Sequence, residues 1–159
     1  MRVITVALTV LALGLWAGCG GDDDTGQTVP AQIPDQASEI AGNWTGVLSQ
    51  KGLPDFRVAV MIEGNGTGTV AYTGIRCTGA WTLDHVLLSE PAMYLFTEVI
   101  ESGVGGNCKG RGTVRLMPRS TGPVSELDYR FTGGGVTSAG VLSRASSDEV
   151  FSVFQRAER

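Results

Sequence analysis

From residue 42 onward, apolar side chains recur at every second position. "FRVAVMIE" puts Phe56, Val58, Val60 and Ile62 on one face and Arg57, Ala59, Met61 and Glu63 on the other. Successive side chains of a strand point to opposite faces, so this spacing marks a half-buried strand. "TVAYTGI" follows with Val70 and Tyr72, then "GAWTL" with Trp81 and Leu83, then "VLLSE". "YLFTEVI" places Tyr94, Phe96 and Ile100 together, "GTVRLM" Val114 and Leu116, and "ELDYRF" Leu127, Tyr129 and Phe131, and "SAGVLSR" closes the series at Arg144. With "WTGVLSQ" at the start, that is eight or nine short strands at near-regular spacing. Between the second and third, Asn65-Gly66 in "GNGTG" suits a type I′ hairpin turn. No helical pattern interleaves the strands, so parallel βαβ units are not expected. An all-β fold of about eight antiparallel strands follows. Closing them into a small barrel removes exposed edges; a two-sheet β-sandwich is the alternative.

The period changes at "SSDEVFSVFQRAER". A serine at 146 or 147 can cap, acids follow in the first turn, and Val150, Phe151, Phe154 and Ala157 fall on one helical face. A short helix over about 147–157, docked on the barrel, is predicted.

The N-terminal region carries a different pattern. Positions 3–18 hold no charge, and Arg2 precedes them. A basic start followed by an apolar run is the pattern of an export signal, and the run is shorter than the roughly 20 residues of a spanning helix. It ends in Leu15, Ala17, Gly18 and Cys19 and turns at once to "GGDDDTG". Residues 1–18 resemble a bacterial lipoprotein signal peptide, with Trp16 where such peptides usually carry leucine. That resemblance implies a lipid thioether on Cys19 and removal of residues 1–18. It places the chain outside the cytoplasm, anchored to the bacterial cell membrane. Residues 19–36 are rich in Gly, Asp and Pro and poor in apolar side chains, a composition that supports no packed core; they read as a tether. The domain is then 37–159.

Composition narrows the function further. The net charge is −4 and no basic block exists, which argues against nucleic acid as a partner. With Cys19 assigned to lipid, Cys77 and Cys108 remain, in a compartment where disulfides persist. Their pairing is expected; it closes 30 intervening residues and contributes roughly 3–4 kcal/mol in the chain-entropy model. Two cysteines and one histidine are too few for a zinc site. Asp22, Asp23 and Asp24 lack the alternate spacing of a calcium loop, so no metal or cofactor is expected. His85 sits beside Asp84 in what reads as a turn, and no G-x-S-x-G elbow is present. "GVGGNCKGRG" lacks the G-K-[ST] of a phosphate cradle. An enzyme is not expected.

Three residues are candidates for a structural site. Gly42-x-Trp44 on the first strand resembles the G-x-W pattern of lipocalin and other calycin barrels. The resemblance implies that Trp44 closes the barrel floor and that an arginine from a late strand, here Arg144, packs on it. If the sheet closes in sequence order, these two must meet. Glu98 shares a face with Phe96 and Ile100, so alternation points a carboxylate inward. A buried charge is paired or protonated; Arg144 or Arg130 is the expected partner, with an edge position in water or contact with a ligand as alternatives.

From 42 to 144 the chain also resembles a small two-cysteine β domain found outside the membrane on bacterial serine/threonine kinases and in small lipoproteins. Trp44, Cys77, Gly79, Glu98, Cys108, Gly112 and Tyr129 are its landmarks here. The resemblance implies an extracytoplasmic, sensory module; it carries over no established activity, and kinase activity is not implied. Two functions therefore stand: a membrane-anchored ligand-binding or sensory lipoprotein, or a structural or protein-interaction component of the cell envelope whose barrel is filled. A cavity of roughly 300 Å³ or more with polar groups would favour the first; a solid core would favour the second.

Overall fold

The computed structural model describes residues 37–103 and 110–159. Eight strands run in sequence: β1 (Gly42–Gln50), β2 (Phe56–Ile62), β3 (Thr67–Tyr72), β4 (Cys77–Leu87), β5 (Met93–Gly103), β6 (Arg111–Pro118), β7 (Glu126–Gly133) and β8 (Val136–Arg144). Each pairs antiparallel with the next, and β8 returns to β1, so the sheet is a closed barrel in sequence order. The two-sheet sandwich is thereby excluded. Closure leaves no edge strand among the eight, which removes the aggregation-prone row of free backbone groups.

The period-two pattern becomes the barrel wall. Trp44, Leu48, Val58, Val60, Val70, Phe96, Val114, Leu116, Leu127 and Leu142 lie fully buried in one inward-facing core. The β1–β8 seam is closed by glycines. A Cβ on Gly46 would fall 2.2 Å from the Val141 carbonyl oxygen, and one on Gly140 would fall 2.2 Å from that of Val47. Side chains at either place would push the closing strands apart.

Local details differ from the sequence expectation in three places. "GAWTL" and the first two residues of "VLLSE" belong to one strand, β4, and a register shift between Leu83 and His85 absorbs the break in alternation. An extra residue in one strand bends it without ending it, so His85 lies in a strand and not in a turn. The β2–β3 connection is a hairpin, but Gly66 alone takes the left-handed region, with φ +81°; Asn65 does not. Asn65 instead accepts hydrogen bonds on Oδ1 from the Thr67 backbone N–H (2.9 Å) and hydroxyl (2.7 Å). A type I′ turn needs positive φ at both central residues, so this turn is of another type.

The third difference is in the helix α1 (Ser147–Ala157). Ser146 caps it, accepting from the Glu149 backbone N–H at 3.2 Å. Val150, Val153 and Ala157 are buried against Ala59 and Ala71 on the outer barrel wall. Phe151 is 63 % exposed. The buried set follows i, i+3, i+7, and Phe151 lies a further 100° around the helix from Val150. Thr45 donates to Glu149 (2.9 Å), and Arg57 pairs with the same carboxylate (3.2 Å), which fixes the first turn over β1 and β2.

Candidate functional site

The two ends of the barrel are built differently. At the end where β1 begins and β8 finishes, Trp44 and Arg144 are direct register partners. The guanidinium carbon lies 4.2 Å from the centroid of the Trp44 ring, well within cation–π reach. Trp44 Nε1 donates to the Ile40 carbonyl at 2.9 Å. Arg144 donates to the carbonyls of Val124 (2.9 Å), Glu39 (3.1 Å) and Ala41. One arginine thus ties the segment before β1, the β6–β7 connection and the floor tryptophan together. Ala37 and Ile40 are fully buried beneath them. This end is sealed.

At the opposite end the interior turns polar. Glu98 is 3 % exposed. Its Oε2 accepts from the Tyr72 hydroxyl and from Trp81 Nε1 (2.8 Å). The Tyr72 and Tyr129 hydroxyls are 3.1 Å apart, and the Trp81 and Tyr129 rings stack at 6.1 Å. The four residues come from β3, β4, β5 and β7, brought to one level by strand register.

No cation among the described residues joins them. The ion pairs among the described residues are Arg57–Glu149, Arg119–Glu126 and Arg119–Asp128. The expected pairing of Glu98 with Arg144 or Arg130 is therefore corrected: Arg144 is held by carbonyls at the far end, and Arg130 is exposed on the outer wall. The reason is parity and height. Arg130 has outward parity on β7, and Arg144 stands at the opposite end of the barrel from the mouth. Neutral donors satisfy the carboxylate instead. Burial pushes the Glu98 carboxyl above the usual carboxylate range, and the bonds from Tyr72 and Trp81 only partly oppose it. Burial also holds both phenols well above their usual range, so they remain protonated donors.

Both bonds reach the same Glu98 oxygen, and Glu98 lines a cavity at this end. That cavity, partly open to solvent, has about 30 Å³ of space between Glu98, Tyr72, Tyr129, Gln50 and Ser138, with Phe56 and Phe131 among the apolar residues at its side. The Ser138 hydroxyl donates to Gln50 Oε1 at 2.6 Å across the β8–β1 seam. Roughly 10–15 Å³ accommodates one water centre, so the space fits a water or two.

Of the remaining sequence candidates, Cys77 also lines this cavity, and His85 and Asp84 do not. His85 is exposed on β4, its Nδ1 against the neighbouring Asp84 carbonyl. Asp84 accepts from Thr97 at 2.7 Å. Among the described residues no group of three His, Cys, Asp or Glu is placed to hold a metal. Cys77 is buried at the first rung of β4, opposite Gly103. Cys108, Cys19 and Asp22–Asp24 lie outside the described residues.

Tyr72, Trp81 and Tyr129 were legible as inward positions but not as partners of Glu98. The available signal was three polar-tipped aromatics on the same face as a carboxylate, since a buried phenol or indole N–H needs a partner. Gln50 and Ser138 carried no signal of their own. No protein-family profile, no curated protein and no solved structure matches the chain.

Proposed function

We propose that this chain is an extracytoplasmic lipoprotein, held to the membrane through lipidated Cys19, whose filled barrel acts through its outer surface. It is a structural or protein-interaction component of the envelope. The observation that carries this reading is the size of the interior space. About 30 Å³ beside Glu98 is an order of magnitude below the 300–1,000 Å³ of a typical small-molecule site. Large side chains occupy the rest: Trp44, Trp81, Tyr94 and Phe96 are each at most 2 % exposed. The Glu98 network supports a non-catalytic role as well. Its carboxylate is bonded to two donors, the Tyr72 phenol and the Trp81 indole, that do not titrate near neutrality. The proposed Cys77–Cys108 disulfide, at the polar end, would staple the β3–β4 and β5–β6 connections.

A small-ligand module is the second reading, and the polar lining of the cavity, with Glu98, Tyr72, Tyr129, Gln50 and Ser138, favours it. A resident ligand stabilises the folded form by mass action, so unfolding temperature separates the two. Protein purified gently from its own membranes is compared with the same protein unfolded with the cysteine pair intact, dialysed and refolded. A filled barrel unfolds at the same temperature in both samples. A lower temperature after refolding, restored by an extract of the first sample, would establish a lost ligand.

A further inference from the structure

Six large hydrophobic residues are exposed among the described residues: Val47, Met61, Leu87, Leu88, Val99 and Phe151. Four of them lie at one end of the barrel. Leu87 pairs with Met93 at the last rung of β4, and Leu88 follows in the β4–β5 connection. Met61 pairs with Asn43 at the start of β1, and Phe151 lines a surface groove with those two residues. Leu88 is 89 % exposed and Leu87 48 % exposed. Nothing in the barrel uses them.

This is also the sealed end, where Ala37 and Ile40 lie beneath Trp44 and the domain begins. The chain between Cys19 and residue 37 therefore joins the domain at the end that carries the exposed apolar side chains. Fully extended, those 18 residues would span about 60 Å at roughly 3.3–3.6 Å each. That is long enough for the barrel to take any orientation, so the tether alone does not decide which end meets the membrane. The distribution of apolar surface does.

We propose that the sealed end of the barrel rests on the lipid bilayer, with Leu87 and Leu88 entering the interface and Phe151 and Met61 at its margin. The Glu98 end then faces away from the membrane, toward the envelope. The proposal rests on acyl anchoring at Cys19. The driving force is burial of apolar area, not attraction to anionic lipid. Glu39, Glu63 and Glu90 lie at this end, and Arg119 is engaged by Glu126 and Asp128. Contact should therefore form on zwitterionic lipid and persist in salt, unlike binding through a basic patch.

The test uses the full chain, processed in a bacterial host and reconstituted into phosphatidylcholine vesicles. An environment-sensitive fluorophore is attached at Leu88→Cys, and in a separate sample at Lys51→Cys, at the opposite end of the barrel. Both sites are exposed, so neither substitution disturbs the core. Flotation with vesicles reports anchoring by itself. The expected result is flotation of both samples. The label at 88 should be blue-shifted and protected from an aqueous quencher in low and high salt, and the label at 51 fully quenched. Flotation with both labels equally quenched would overturn the proposal and leave the anchor standing. Failure to float would overturn the anchor and the proposal with it. Hydrogen exchange of wild-type chain gives an independent readout. The segment around 87–93 should slow on vesicles relative to soluble Cys19→Ser, and equal exchange would contradict the proposal.

Discussion

Glu98 is where single-residue chemistry is most exposed to test. Its carboxyl is raised in the folded chain because burial penalises the charge more than Tyr72 and Trp81 favour it. A group with a raised folded pKa stabilises fully below its unfolded value, and that contribution is lost as pH rises through the folded value. The wild type should therefore lose stability as pH climbs from about 4, the unfolded carboxylate value, toward neutrality. Glu98→Gln keeps an oxygen for Tyr72 and Trp81 and carries no charge. It should unfold at a higher temperature than wild type at pH 7, with the gap closing as pH falls; calorimetry across pH 4–8 measures this. A lower unfolding temperature for Glu98→Gln at pH 7 would show that the charge is favourable where it sits. At the other end, Trp44→Ala should cost about 3–5 kcal/mol, as large-to-small core changes do. Arg144→Ala should cost less, because water can replace it on the carbonyls it holds; urea titration of both variants ranks them. The position of Trp44 was readable from a three-residue pattern, and the inward parity of Glu98 from alternation. The donors to Glu98 were not readable, because they arrive from two other strands, β3 and β4, whose register no local pattern sets.

Among the elements, strands with strict alternation were the legible ones. β2 and β7 bury every second residue from Phe56 and from Leu127, as their sequences suggest. β4 was harder, because its bulge breaks the alternation at the point where a turn would also break it. Helix α1 was legible in extent and capping but not in its contact face. Val153 and Phe151 compete for the stripe beside Val150, and only the small Ala59 and Ala71 on the wall beneath decide which of them is covered. Val153→Asp would place a charge against that apolar wall without a partner, a large penalty. It should release the helix and raise hydrogen exchange over 147–157 while the barrel strands stay protected. Phe151→Ala should change folding stability by no more than about 0.5 kcal/mol, as exposed positions do, which denaturant unfolding checks. Unchanged exchange in Val153→Asp would mean that the helix is held by its Glu149 contacts alone.

For the whole molecule, an antiparallel all-β fold of about eight strands was legible, but the strand order was not, because pairing partners are set by register between strands and not by any local pattern. Whether the barrel was hollow was not legible. Interior volume depends on how Trp81, Phe96 and Tyr129 interdigitate, and that follows from three-dimensional register rather than from any one strand. The proposed molecule is a lipid-anchored barrel with nothing resident inside. Intact mass under native conditions, on protein taken from its own membranes, tests this most directly. The expected mass is that of residues 19–159 with lipid on Cys19, lighter by the two hydrogens of a Cys77–Cys108 disulfide, and nothing more. Additional mass from a small molecule that departs when the chain is unfolded would contradict the filled barrel, and a chain still carrying residues 1–18 would contradict the anchor.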